Sequence, residues 1–167
     1  MNELVTRLHR EVITYFAATD LTQIGHTETV HNFAQLIARL ENRDERTQCL
    51  IEMSALLHDI GCPNAKLKYG NTNAPNQEKE GKPLAEQMLA GYPMPEEDKA
   101  LIAEVVGAHH HLSMLKTLGF EILAEADLIV NLLEGYYKPE QAQHLYDHFV
   151  TTESGKELYR NMFLKKP

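Results

Sequence analysis

Imidazoles and carboxylates are ligands for first-row divalent metals and common carriers of protons in catalysis. The chain has nine histidines among 167 residues, and several stand in awkward places. In SALLHDIGCPN an apolar helix runs directly into His58-Asp59 and then Gly61. A helix C-terminus carries partial negative charge, so an uncompensated aspartate there is unfavourable. A cation beyond the helix end removes the conflict; a polar surface turn is the ordinary alternative. Asp127, in ILAEADLIVNLL, lies beside the apolar stripe of its helix, with Leu123 one turn before it and Asn131 one turn after. A buried carboxylate is costly without a partner, which asks for either an ion pair or a metal. His26, in QIGHTETVHNFA, opens a helix and shares the face of Val30. His109, His110 and His111 end another apolar helix. Neighbours on a helix point about 100° apart, so one of the three can face the core while another faces a cleft.

The elements that must position these residues read as helices throughout. Residues 3–18 carry Leu4, Leu8 and Val12 at helical spacing, residues 27–41 carry Val30, Ala34 and Ile37, and residues 45–58 carry Cys49, Leu50, Met53 and Leu57. Gly61 and Pro63 then act as stop signals. Residues 62–77, with Pro63, Gly70, Pro75 and four asparagines, read as one long irregular loop. A short helix follows over 78–90. Another starts at Pro95, with Glu96, Glu97 and Asp98 suited to a helix N-terminus, and is expected to reach about His111. Residues 119–134 repeat the apolar pattern, and two helices within 138–164 close the chain. No strand-like alternation and no sustained heptad occurs. The expected fold is all-α: one irregular multi-helix bundle over residues 1–167.

Bulk properties narrow the function. The net charge is −8, which argues against binding a nucleic-acid backbone, since that needs a basic face. It leaves room for a small anionic substrate, because a bound metal reverses the sign of a pocket locally. Cys49 and Cys62 are too few for a thiolate zinc site or a disulfide scaffold. The N-terminus lacks the apolar segment of a signal peptide, and no stretch is long and apolar enough for a membrane span. A soluble, cytoplasmic protein is the expectation. His144 and His148, one turn apart, fit a solvent-facing helix. A ferritin-like di-iron bundle needs two E-x-x-H motifs, and Glu28 to His31 is the single one.

Taken together, the order His26, His58-Asp59, Asp127, with separations of 32 (58 − 26) and 68 (127 − 59), resembles the HD-domain superfamily of metal-dependent phosphohydrolases. The resemblance is carried by GHTETVHNFAQLIA, ALLHDIG, EGKPLAEQML, VVGAHHH and ILAEADLIVNLL, and covers roughly residues 24–134. It implies a helical domain whose core helices converge on one divalent transition metal (Mn, Fe, Co, Ni or Zn), held by His26, His58, Asp59 and Asp127. His26 is preferred to His31 because His26, Val30 and Ala34 match the first-ligand helix of the family. Some relatives add a histidine between the HD pair and the next histidine-bearing helix. Residues 60–108 here contain none, and Gln77, Glu78 and Glu80 fall in that region instead. That favours one metal, with a carboxylate-completed second site left open.

What the resemblance implies for mechanism is hydrolysis of a nucleotide or other small phosphate ester by metal-activated water. Asp59 would bridge metal and water. His109 or His110 would donate a proton to the leaving oxygen. Glu80 is a lesser candidate for base, and Lys66 and Lys68, just after the HD pair, would reach a phosphate. Two other readings stay open: a di-iron oxygenase of the same fold, and a regulatory module that binds a nucleotide without turning it over. Oligomeric state is not written in the sequence.

Overall fold

The apolar segment leading into His58 forms the centre of the molecule. In the computed structural model, which describes residues 2–164, every residue from Cys49 to Leu57 is buried. The elements in chain order are α1 (Asn2–Thr19), α2 (Thr22–Leu40), α3 (Glu45–Leu57), α4 (Cys62–Tyr69), α5 (Ala74–Leu89), α6 (Glu96–Val106), α7 (Leu112–Leu118), α8 (Glu121–Leu133), a 3-10 turn over Pro139–Gln141, α9 (Ala142–Phe149) and α10 (Glu153–Phe163). No strand occurs among the described residues, and the all-α expectation holds. Among the described residues no helix is long and apolar enough to cross a membrane.

Helix α2 packs against both α3 and α8, and α3 also meets α1 and α6. One hydrophobic cluster runs from Val5 in α1 to Tyr159 in α10. Asp44 starts α3 by accepting from the backbone N–H groups of Arg46 and Thr47, both at 3.1 Å, the usual service of an N-cap. Glu125 on α8, fully buried, accepts from the backbone and hydroxyl of Thr151 and of Thr152, at 2.6 to 2.9 Å. Thr152 in turn caps α10 by accepting from the N–H of Gly155 at 3.0 Å. One carboxylate on α8 therefore anchors the start of the last helix.

Three expectations are corrected. Residues 62–77 are not one loop: α4 and the start of α5 occupy most of them. Gly61 and Pro63 end α3 but also begin α4, with Pro63 in the first turn, where its missing N–H costs nothing. Gly70 closes α4 at φ 71°, a left-handed cap that favours glycine. Asn73 then caps α5. Second, α6 stops at Val106, so His109 and His110 lie on the turn beyond it rather than on the helix. Third, α2 begins at Thr22, which places His26 inside the helix rather than at its start.

The HD turn lies directly against α5. A Cβ on Gly61 would meet the Gln77 carbonyl oxygen and sit 2.5 Å from the Gly81 nitrogen and 2.9 Å from its Cα. These are backbone atoms and cannot swing aside. Gly61→Ala is expected to destabilise the protein by ~1–3 kcal/mol, as overpacked cores do. Thermal unfolding followed by circular dichroism should show Tm falling by about 2–10 °C; an unchanged Tm would mean that this contact is looser than described.

Candidate metal centre

Five of the residues singled out in the sequence meet at one place. His26 comes from α2, His58 and Asp59 from the end of α3, His109 from the turn after α6, and Asp127 from the middle of α8. The His26 Nε2 lies 3.2 Å from His58 Nε2, 3.2 Å from Asp127 Oδ1 and 3.5 Å from Asp59 Oδ2. His58 Nε2 lies 3.6 Å from Asp59 Oδ2 and 3.8 Å from Asp127 Oδ1. Donors held about 2.1 Å from a common metal stand roughly 3.0–3.4 Å apart in octahedral or tetrahedral arrangements. The spacing fits one ion with little adjustment.

Each histidine is oriented from behind. His58 Nδ1 donates to the Ala55 carbonyl at 2.7 Å, and His109 Nδ1 donates to the Val106 carbonyl at 2.8 Å. In both, the ring folds back on the carbonyl three residues earlier, so Nε2 faces inward. His26 Nδ1 is held by Glu134 at 2.9 Å. Asn131 donates to Asp127 Oδ1 at 2.9 Å. Outer partners of this kind fix tautomer and direction for metal ligands.

Electrostatics gives the same picture. Burial holds the His58 pKa below that of an ordinary imidazole, against the pull of Asp59 and Asp127. A neutral His58 with Nδ1–H committed to Ala55 points a lone pair at two carboxylates. Burial acts to lower His26 too, but Asp127, Asp59 and Glu134 outweigh it and push it up to about 9. Burial would raise the Asp59 carboxyl, yet His58, His109 and His26 hold it well below the carboxylate range. Asp127 is held low chiefly by His26, also against burial. A proton on His26 thus supplies positive charge that a metal ion would supply better. His109 Nε2, buried and 3.4 Å from Asp59 Oδ1, makes no aligned hydrogen bond. An orphaned, inward nitrogen in a buried cluster is what a metal ligand looks like without its ion.

A second group adjoins the first. Donor atoms of Glu78, His109 and His110 lie within 4.8 Å of one another, as do those of His26, His58 and Asp59. Glu78 comes from α5, at the side where Gly61 permits close approach. It accepts from the His110 backbone N–H at 3.2 Å and lies 3.3 Å from His110 Nδ1 and His111 Nε2. Asp59 connects the groups, Oδ2 facing His26 and His58 and Oδ1 facing His109.

The remaining candidates lie elsewhere. Glu80 is tied to Lys68 at 2.5 Å and to Tyr69 at 2.9 Å, and lines neither lobe of the cleft beside the cluster. Lys66 reaches Asp20 at 3.6 Å. The structure brings neither lysine into the cluster. His31 turns to Glu52 at 3.3 Å, away from His26. Glu134 escaped the reading of the sequence, though its place two turns beyond Asp127 puts it on the same helix face.

The family model for the HD domain matches residues 24–151. The chain belongs to the HD-domain family. Most members of this family are metal-dependent hydrolases, and HD domains bind divalent metals. No curated protein and no solved structure matches the chain. Membership is consistent with a cluster of histidines and carboxylates that could hold a metal.

Proposed function

We propose that this HD-domain protein hydrolyses a small phosphate ester, using two divalent cations that share Asp59. The observation that carries the reading is the Asp59 carboxylate, one oxygen turned to each of two donor groups. His26, His58, Asp59 and Asp127 would hold one cation; Glu78, His109 and His110, with the other oxygen of Asp59, would hold the second. Glu78 falls in the stretch between the HD pair and the next histidines, where this chain has no histidine. It supplies the carboxylate left open by the sequence.

Bound divalent metals lower the pKa of water and offset charge on phosphoryl oxygens. The protein's residues supply the rest. Asp59 and Asp127, ionised at neutral pH, set the local charge that retains cations. Glu134 and Asn131 keep His26 and Asp127 aimed inward. A water oxygen forms a bond to phosphorus, the phosphorus–oxygen ester bond breaks, and the leaving alcohol takes a proton. His111, exposed and hydrogen-bonded to Glu78, would deliver that proton if His109 and His110 are occupied as ligands. Glu80, Lys66 and Lys68 have no part in this reading.

Two per chain of Mn, Fe, Co, Ni or Zn, measured by plasma mass spectrometry on tag-free protein, together with metal-dependent phosphate release from simple monoesters, is the expected result. Two irons with oxygen consumption and no phosphate release would instead support the oxygenase reading. A protein that retains no metal after reconstitution would favour the regulatory module.

A further inference from the structure

The cleft beside the histidine–carboxylate cluster has two lobes, the first mainly polar and the second with a largely apolar far wall. The first, about 170 Å³ and partly open to solvent, is lined by His26, Asp59, Thr72, Gln77 and Tyr136. The second, about 90 Å³, is walled by Leu112, Ala124, Leu128, Leu145 and Phe149, with His109 at its inner end. His110, Asp127, Asn131 and Tyr137 line both, so the lobes join at the cluster itself.

Resting on the hydrolase reading above, we infer that the site selects phosphate monoesters whose alcohol part is an apolar ring or short chain, and disfavours nucleoside di- and triphosphates. A phosphoryl group in the first lobe places the ester oxygen at the junction and directs the organic part into the second. That wall is hydrocarbon from α7, α8 and α9. Burying apolar surface there is favourable in proportion to its area.

Two features oppose a nucleotide. The polar edges of a base would face leucine, alanine and phenylalanine. Of the polar groups that also line this lobe, His109, His110 and Asp127 belong to the two donor groups, and the Asn131 amide already donates to Asp127 at 2.9 Å, which leaves Tyr137. Buried polar groups left without partners are a strong source of discrimination. In addition, no lysine or arginine lines either lobe among the described residues. Lys66, Lys68 and Lys82 are paired with Asp20, Glu80 and Glu104 at 3.6, 2.5 and 2.5 Å. Asp59 and Asp127 line the mouth, so the extra phosphates of a di- or triphosphate would meet carboxylates without a side-chain cation. One phosphoryl group can be balanced by the bound metals.

The bond change is the one given above: water adds to phosphorus, and the apolar alcohol departs with a proton. Recognition can be tested apart from it. Calorimetric titration of the metal-loaded protein should show phenylphosphonate binding about tenfold or more tighter than methylphosphonate. Ala124→Phe, which fills the second lobe, and Phe149→Ser, at a partly exposed wall position, should each shrink that ratio toward one. Steady-state assays should rank phenyl phosphate above glycerol phosphate and any nucleoside triphosphate by a similar factor in kcat/KM. Equal phosphonate affinities, or a preferred triphosphate, would overturn the inference. If esters are hydrolysed without aryl preference, the hydrolase reading stands and this one fails. If phosphonates bind with aryl preference but no ester is turned over, the reverse holds.

Discussion

Asp59→Asn is expected to lower phosphate-ester turnover by about a thousandfold or more and to reduce bound metal from two ions per chain to one or none. Asp59 turns one oxygen to each donor group: Oδ2 lies 3.5 and 3.6 Å from His26 and His58, and Oδ1 lies 3.4 Å from His109. Asparagine keeps the volume and removes the charge. It also aims an amide N–H or a neutral oxygen at nitrogens that are themselves oriented as ligands. The fold should survive, because the backbone hydrogen bond from Cys62 N–H to the Asp59 carbonyl, at 2.9 Å, does not involve the side chain. Circular dichroism and thermal unfolding check that point. Plasma mass spectrometry and phosphate release then read the two effects side by side. Asp127→Asn removes a carboxylate from one group alone and should leave partial occupancy of the Glu78, His109 and His110 group. An Asp59→Asn protein that is metal-replete and active would sink the shared-carboxylate reading.

Much of this centre was legible in the sequence, for a physical reason. His58, Asp59 and Asp127 violate what helix stability alone would choose, and such conflicts collect at functional sites. His26 shares a helix face with Val30, so the period of the helix pointed it inward. The loop over 62–77 was misread because Gly61 and Pro63 serve two helices at once. A stop signal and a start signal use the same residue types when the turn between helices is short. Glu78 was visible only as one of three polar residues, Gln77, Glu78 and Glu80, in a region without histidine. Which one faces the cluster depends on how α5 crosses the HD turn, and that crossing is set by Gly61 against Gly81. Lys68 and Glu80 drew attention singly; the sequence could not show that they bind each other. The apolar lobe was beyond reach as well, since Leu112, Leu128 and Phe149 lie far apart in the chain and look like ordinary core.

Metal affinity should fall steeply with acidification. In the metal-free protein the His26 pKa is pushed up to about 9, burial being outweighed by Asp127, Asp59 and Glu134. A metal needs the Nε2 lone pair that this proton occupies. Below pH 9 proton and metal compete, so the apparent association constant should drop about tenfold per pH unit, near a hundredfold between pH 9 and 7, and level off above 9. His58, held neutral by burial, adds no such dependence in this range. Calorimetry at pH 7 in buffers of different ionisation enthalpy should show about one proton released per ion bound at this site. Stability without metal runs the other way. A folded-state pKa raised from 6.5 to about 9 stabilises the metal-free fold fully below pH 6.5. That contribution, on the order of 3 kcal/mol, is lost as pH rises through 9. Asp59 and Asp127, held low by the histidines, stay ionised across this window and do not change the sign. His109, whose pKa Asp59 raises against the effect of burial, acts in the same direction as His26. Metal-free protein should therefore melt earlier at pH 9 than at pH 6.5, while the stabilisation gained on adding metal grows with pH. A metal-induced rise in Tm that is the same at both pH values would show that His26 carries no proton for the metal to displace.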